Sequence, residues 1–556
     1  MDWLMGLPNT FHMEASGLPI TIALFLLFLG LLYRYSVSPY STLSRCGIKH
    51  PKPLPFFGNL FMFRQGFFDP INQIIMKHGR VCGYYIGRRP IVVLADPDII
   101  RQVTVKGFST FPNRLNNNFA PKPMSDCLLM LRDEQWKRVR SILTPSFSSA
   151  KMREMVPLIN TATDVLMNNL NAHADSGEAF DFHRCSGCFT MDVIASVAFG
   201  TQLDSQSNPD DPFVHNGQKF FDFTFFKPII LVSMMFPFLL TLLRRVLPKR
   251  RDNVSTFFTH SIQRIIKQRD ELPPEQRRRD FLQLMLDARG GGGEESVSLE
   301  DFDAVNGADA HGHSDARSDA ARGSEPPGKP PLLPAPPAQK KKRWLTEDEV
   351  VGQAFIFLLA GYETSSNTIS FACYLLATHP ECQRRVQLEV DDFFHRHDSL
   401  EYTNVQELKY LDMVFCEALR LYPPGFRYGR TVDEDCEISG QPLPKGATVE
   451  FSIGFLHYDP EYWPEPQKFI PERFTAEAKA NRHPFVYLPF GAGPRSCVGI
   501  RLAQLEVKMA LVNVLRRFNL VACAETKVPL ELKSDVTLGP KNGIFLKITK
   551  RDLNRS

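Results

Sequence analysis

Between Leu345 and Glu381 the chain reads LTEDEVVGQAFIFLLAGYETSSNTISFACYLLATHPE, and no other stretch so narrows what it can become. Thr346 followed by Glu349 is a capping box, the apolar residues then run almost without a break, and Pro380 cannot continue the pattern. The spacing therefore predicts one very long buried helix. Such a helix needs a large body around it, and 556 residues, 43% hydrophobic and 23% charged, supply a core able to enclose a sizeable ligand. Its centre is polar where burial should forbid it. Glu363, Thr364, Ser365 and Ser366, just after Ala360 and Gly361, would leave polar groups unsatisfied unless a cavity or ligand meets them. The structural alternative is a kinked helix whose hydroxyls bond its own carbonyls.

A second constraint is FGAGPRSCVG, residues 490–499, which sets one cysteine among glycines with no partner cysteine nearby. Val507, Leu511, Val514 and Phe518 recur at helical spacing, so an amphipathic helix begins near the sulfur of Cys497. A helix N-terminus, with Arg495 two residues away, favours thiolate over thiol. Glycines at 491, 493 and 499 let the backbone lie against something broad. A flat, anionic, thiolate-seeking ligand is heme. The cysteines, eleven in all, are scattered and odd in number, the pattern of a reducing compartment. Cys185 and Cys188 form a C-x-x-C without a second pair for zinc, and read as half-buried thiols.

Net charge of +4 and a pI near 8.4 are too mild for nucleic-acid binding. The apolar run Gly17–Tyr33 approaches the roughly 20 residues that cross a bilayer. Residues 1–33 hold no Lys or Arg, whereas Arg34, Arg45, Lys49 and Lys52 follow, so the expected anchor has a lumenal N-terminus and a cytoplasmic body. The expected organisation is a tail and anchor over 1–35, a basic, proline-rich linker over 36–59, and one catalytic domain over 60–556. A Gly-, Ala-, Ser- and Pro-rich loop over 289–343 interrupts that domain, too poor in large apolar residues to order itself. Its GGGG, HGH and KKKR read as solvated linker. A second apolar stretch, 228–243, is broken by Pro237 and reads as a membrane-dipping segment.

The loop F-x-x-G-x-R-x-C-x-G, met at Phe490, Gly493, Arg495, Cys497 and Gly499, resembles the signature of the heme-thiolate cytochromes P-450. Other stretches in the same order are similar to that family: WKRVR with Trp136 and Arg140, FPNR with Arg114, AGYETS in the long helix, CEALR with Glu417 and Arg420, FRYGR with Arg430, and PERF with Arg473. The resemblance implies a mainly α fold with a smaller β region, the long helix lying over heme b (iron protoporphyrin IX). It implies Cys497 as axial iron ligand, Arg114, Trp136, Arg140 and Arg430 as partners of the heme propionates, and Phe490, Gly493, Arg495 and Gly499 as further cofactor-binding residues of the loop. Glu417, Arg420 and Arg473 would form a buried structural cluster, and Ala360, Gly361, Glu363 and Thr364 the distal catalytic wall. The nearest resemblance within the family is to members that isomerise a prostaglandin endoperoxide. This implies prostaglandin H2 as substrate, the endoplasmic reticulum membrane as location and a monomer. Those members carry an apolar residue where this chain has Thr364, so two alternatives stand beside the isomerase. One is a monooxygenase fed by cytochrome P-450 reductase; the other is a non-catalytic heme-binding protein.

Overall fold

The long helix forms as its cap predicts. Thr346 Oγ1 accepts from the Glu349 N–H at 3.2 Å, Glu349 Oε2 accepts from the Thr346 N–H at 2.9 Å, and the helix runs Glu347–Thr378. Its 32 residues span about 48 Å. Pro380 then opens the next helix, Pro380–Arg396. The structure is a computed structural model that describes residues 17–114, 122–208, 210–222, 226–236, 238–239, 253–289 and 344–552.

The central helix is gripped on one side by the helix Phe182–Phe199 and on the other by the helix Ile500–Arg517, which follows the cysteine loop and ends where a strand takes over at Phe518. Gly361 is what allows the first contact to be close: a Cβ there would meet Ile194 Cδ1 at 2.8 Å. Helix Ser149–Ser176 packs beside both neighbours, completing the helical layer.

A four-stranded sheet lies apart from this layer. Strands β1 (Val81–Ile86), β2 (Arg89–Leu94), β3 (Arg427–Thr431) and β4 (Thr448–Ser452) run in the order β1-β2-β4-β3, with β2 and β4 parallel and the other pairs antiparallel. Helices dominate and sheets are minor, as expected.

The first helix, Gly17–Val37, leaves Ile20, Leu24, Phe25 and Leu26 more than half exposed, and the apolar run is long enough to cross a membrane. At its foot Tyr35 stacks on Phe236, beside the short helix Pro228–Met235. The rest of the 228–243 stretch is mostly outside the described residues, as is 290–343. The ends of that latter segment meet, because the Leu345 N–H donates to Ala288 O at 2.9 Å.

Candidate active site

Cys497 stands in a tight loop. Its N–H donates to Phe490 O at 2.9 Å, and the Ser496 N–H donates to Gly493 O at the same distance. Gly491 and Gly493 have φ of +77° and +71°, a region open to glycine. A Cβ at Gly493 would also strike the Thr104 carbonyl at 2.0 Å. These two glycines therefore serve turn geometry and packing behind the loop. Gly499 has ordinary φ and caps the following helix.

The sulfur faces an internal cavity, so Cys497 is exposed by area while enclosed by protein. Burial pushes its thiol up, against the opposing pull of the Gly499 N–H, Arg140 and Arg114. The expectation that Arg495 supplies the cation beside the sulfur is corrected here: the opposing pull comes from the Gly499 N–H, Arg140 and Arg114, and desolvation outweighs it. Arg495 turns away from the sulfur. Its guanidinium lies 4.0 Å over the Trp136 ring and donates to Pro112 O at 2.9 Å and Leu131 O at 3.0 Å. A thiolate in this loop needs a cation in the cavity itself, which an iron would be.

Four guanidiniums gather here: Arg114, Arg140 and Arg495 line this cavity, and Arg430 lines a small neighbouring pocket that shares Arg114, Tyr428 and Arg495 with it. Arg114 donates to Arg495 O at 2.8 Å, Arg140 to Ser496 O at 3.1 Å and Arg430 to Gly429 O at 2.9 Å. Nε of Arg140 and of Arg430 has no partner, and among the described residues none of the four forms an ion pair. Burial pushes Arg140 down to about 10, Arg430 to about 9 and Arg495 to about 8, and lowers Arg114 too. Such an excess of desolvated cations calls for an anionic ligand. Trp136 and Arg140, four apart on the helix Asp133–Leu143, share one face. Arg430 shares a strand face with Tyr428, whose hydroxyl donates to Pro489 O at 2.7 Å. Tyr428 was missed in the sequence, although its i,i+2 spacing from Arg430 was the available signal.

The cavity has a volume of about 270 Å³. Ala360, Thr364, Ser365 and Thr368 of the central helix form one wall, and Phe490, Cys497 and Val498 another. Thr364 Oγ1 donates to Ala360 O at 2.7 Å. Glu363 and Gly361 do not face the cavity. Glu363 is held by Asn367 and Thr537, each 3.3 Å away, with Lys533 at 4.0 Å, and Gly361 lies against Ile194. Glu363, expected in the distal catalytic wall, is thus turned toward Lys533, because a helix cannot aim consecutive residues the same way.

Away from the cavity, Glu417 accepts two bonds from Arg420, at 2.7 and 2.8 Å, and Arg473 stands 3.4 Å from Glu417. Glu417 and Arg420 are fully buried.

One thiol, an indole and three guanidiniums without ion pairs around this cavity, with Arg430 in the pocket beside it, fit a flat dianion with a metal at its centre. The Cytochrome P450 family profile matches residues 48–306 and 332–547. The chain is 48% identical to Thromboxane-A synthase of Macaca fascicularis and 47% identical to that of Sus scrofa, over 97% of its length and 98% of theirs. It is 37% identical to Cytochrome P450 3A9 of Rattus norvegicus over 99% of both chains.

Proposed function

This chain belongs to the cytochrome P450 family, and from that premise we propose that it is an isomerase converting prostaglandin H2 to thromboxane A2, with a hydroxy-heptadecatrienoic acid and malondialdehyde as side products. The observation that carries this reading is the gradient of identity: 47–48% to the thromboxane-A synthases against 37% to Cytochrome P450 3A9, over nearly the same span.

Cys497 would hold the iron of heme b, and Arg114, Trp136, Arg140, Arg430 and Arg495 would take its propionates, giving the unpaired cations their counter-charge. Bound heme supplies a ferric iron able to take up one endoperoxide oxygen and split the O–O bond. Ala360 leaves room for substrate above that position, while Ile356 and Phe357 on the same helix keep water out. The Thr364 hydroxyl is committed to Ala360 O. The reaction asks for no delivered proton, since the substrate arrives with both oxygens already joined.

The exposed apolar helix Gly17–Val37 would anchor the monomer in the endoplasmic reticulum membrane, with its N-terminus lumenal and its body cytoplasmic. A reductase-fed monooxygenase of lipophilic substrates is the second reading, favoured by the Thr364 hydroxyl on the cavity wall.

Product analysis with prostaglandin H2, with and without NADPH and reductase, decides between them. Thromboxane formation independent of both is expected; turnover seen only with reductase and dioxygen overturns the isomerase. In the same preparation Cys497→Ala should lose the thiolate-type carbon-monoxide difference spectrum, and a normal spectrum would sink the ligand assignment.

A further inference from the structure

Glu506 is a buried acid that none of the foregoing uses. It sits on the helix Ile500–Arg517, 3% exposed, between Ala503 and Val507, both of which line the cavity. Its Oε2 accepts from Ser365 Oγ of the central helix at 3.0 Å, and its Oε1 is buried without a partner. Ser365 is itself part of the cavity wall, next to Thr364.

The charges on the surrounding elements are spent elsewhere. Lys508 pairs with Asp412 at 2.8 Å, Glu417 pairs with Arg420, and Glu363 faces Thr537 and Lys533. Among the described residues no cation pairs with Glu506. Burial, eased only by the Ser365 hydroxyl, pushes its carboxyl up to about 8. The acid is therefore protonated at neutral pH, and its hydroxyl and carbonyl can both engage the serine or a water.

We propose that Glu506 is a positioning residue for the reaction: its undissociated carboxyl, accepting from Ser365, lets the cavity face of the central helix pack dry against the helix that follows the Cys497 loop, and loss of its proton leaves a buried charge there that strains this packing. An ionised Glu506 has only one hydrogen-bond donor and no counter-ion, so it must draw in water or push the two helices apart. Either change reaches the cavity through Ser365 and its neighbour Thr364. The role in the reaction rests on the isomerase reading, whereas the protonated acid does not.

Burial sets the folded carboxyl above its ordinary value of 4.5. The stability Glu506 contributes is thus complete below 4.5 and lost as pH rises to about 8, where the acid itself ionises. An infrared difference titration of the holoenzyme should show a carboxylic-acid C=O band that vanishes with a midpoint near 8 and is missing in Glu506→Gln. Thromboxane formation should decline across the same midpoint in the wild type and stay level in Glu506→Gln, while Glu506→Leu loses about tenfold in kcat/KM at neutral pH. Ser365→Ala should move the acid band to higher frequency by removing its one hydrogen bond, which keeps the test alive if the glutamine variant folds poorly. No acid band at neutral pH, a band unmoved in Ser365→Ala, or an alkaline decline retained in Glu506→Gln overturns the proposal. If prostaglandin H2 gives no thromboxane while the band behaves as stated, the isomerase reading falls and the protonated acid stands.

Discussion

Arg420 and Arg430 stand ten residues apart and both are buried, yet their surroundings are opposite. Arg420 forks onto Glu417 through two bonds and donates to the carbonyls of His457, Pro466 and Lys468. Arg430 has one carbonyl, that of Gly429, and an Nε with nothing to bond. Desolvating a guanidinium costs several kcal/mol unless charge and hydrogen bonds are returned to it. The first cluster recovers that cost within the protein. The second, shared with Arg114, Arg140 and Arg495, leaves it to a ligand. Buried charge thus does two jobs in one body: it locks the fold around Glu417, and it prepares a binding site around Cys497.

The comparison breaks most visibly at Glu417. Removing it strands Arg420 with no counter-charge and takes a partner from Arg473, so Glu417→Ala should cost about 3–5 kcal/mol. Denaturant unfolding of heme-free and heme-loaded protein should show that loss in both. A loss confined to the loaded form would mean that the cluster serves the cofactor and not the fold.

Arg430→Met tests the other half, with opposite signs in the two states. It removes a cation that the heme-free protein cannot satisfy, so the heme-free protein should hold or gain stability. The same change deletes a charge-assisted bond to a propionate and should weaken heme retention by about 1.5–3 kcal/mol. Heme transfer to apomyoglobin, followed beside denaturant midpoints, measures both. A heme-free protein destabilised as strongly as Glu417→Ala would erase the distinction between the clusters.

What could be read from the sequence follows the range of the forces involved. The capping box at Thr346, the stop at Pro380 and the helix beyond Cys497 are decided by residues a few positions apart, and each formed as expected. The Arg114, Arg140 and Arg430 positions came from motifs; Arg114 and Arg140 line the cavity at Cys497, and Arg430 lines the pocket next to it. Misjudged were matters settled by distant neighbours. Arg495 looked like the cation beside the sulfur, but the Trp136 ring and the carbonyls of Pro112 and Leu131, all remote in sequence, turn it away. Gly361 looked like an opening in the cavity wall, and Ile194 gives it its purpose. Glu506 escaped notice because its partner among the described residues, Ser365, lies 141 residues earlier and no local pattern joins them.

The smallest expected effect is at Thr364, where the wall of the cavity is least tied to the charge clusters. In a monooxygenase this hydroxyl would relay protons to bound dioxygen, and Thr364→Ile would remove a general-acid contribution of about 10²- to 10⁴-fold. In the isomerase no proton is delivered. The Thr364 hydroxyl already spends its hydrogen on Ala360 O, and an isoleucine keeps the β-branched shape while adding only apolar surface. Thromboxane formation from prostaglandin H2 should therefore stay within about one order of magnitude of wild type, without an NADPH requirement. Heme content measured in the same preparation separates chemistry from assembly: since Thr364 touches none of the four guanidiniums' carbonyl partners, retention should match wild type. A collapse of product formation with heme intact would show that the hydroxyl acts on the reacting oxygens, and would move the chain from the isomerases to the monooxygenases.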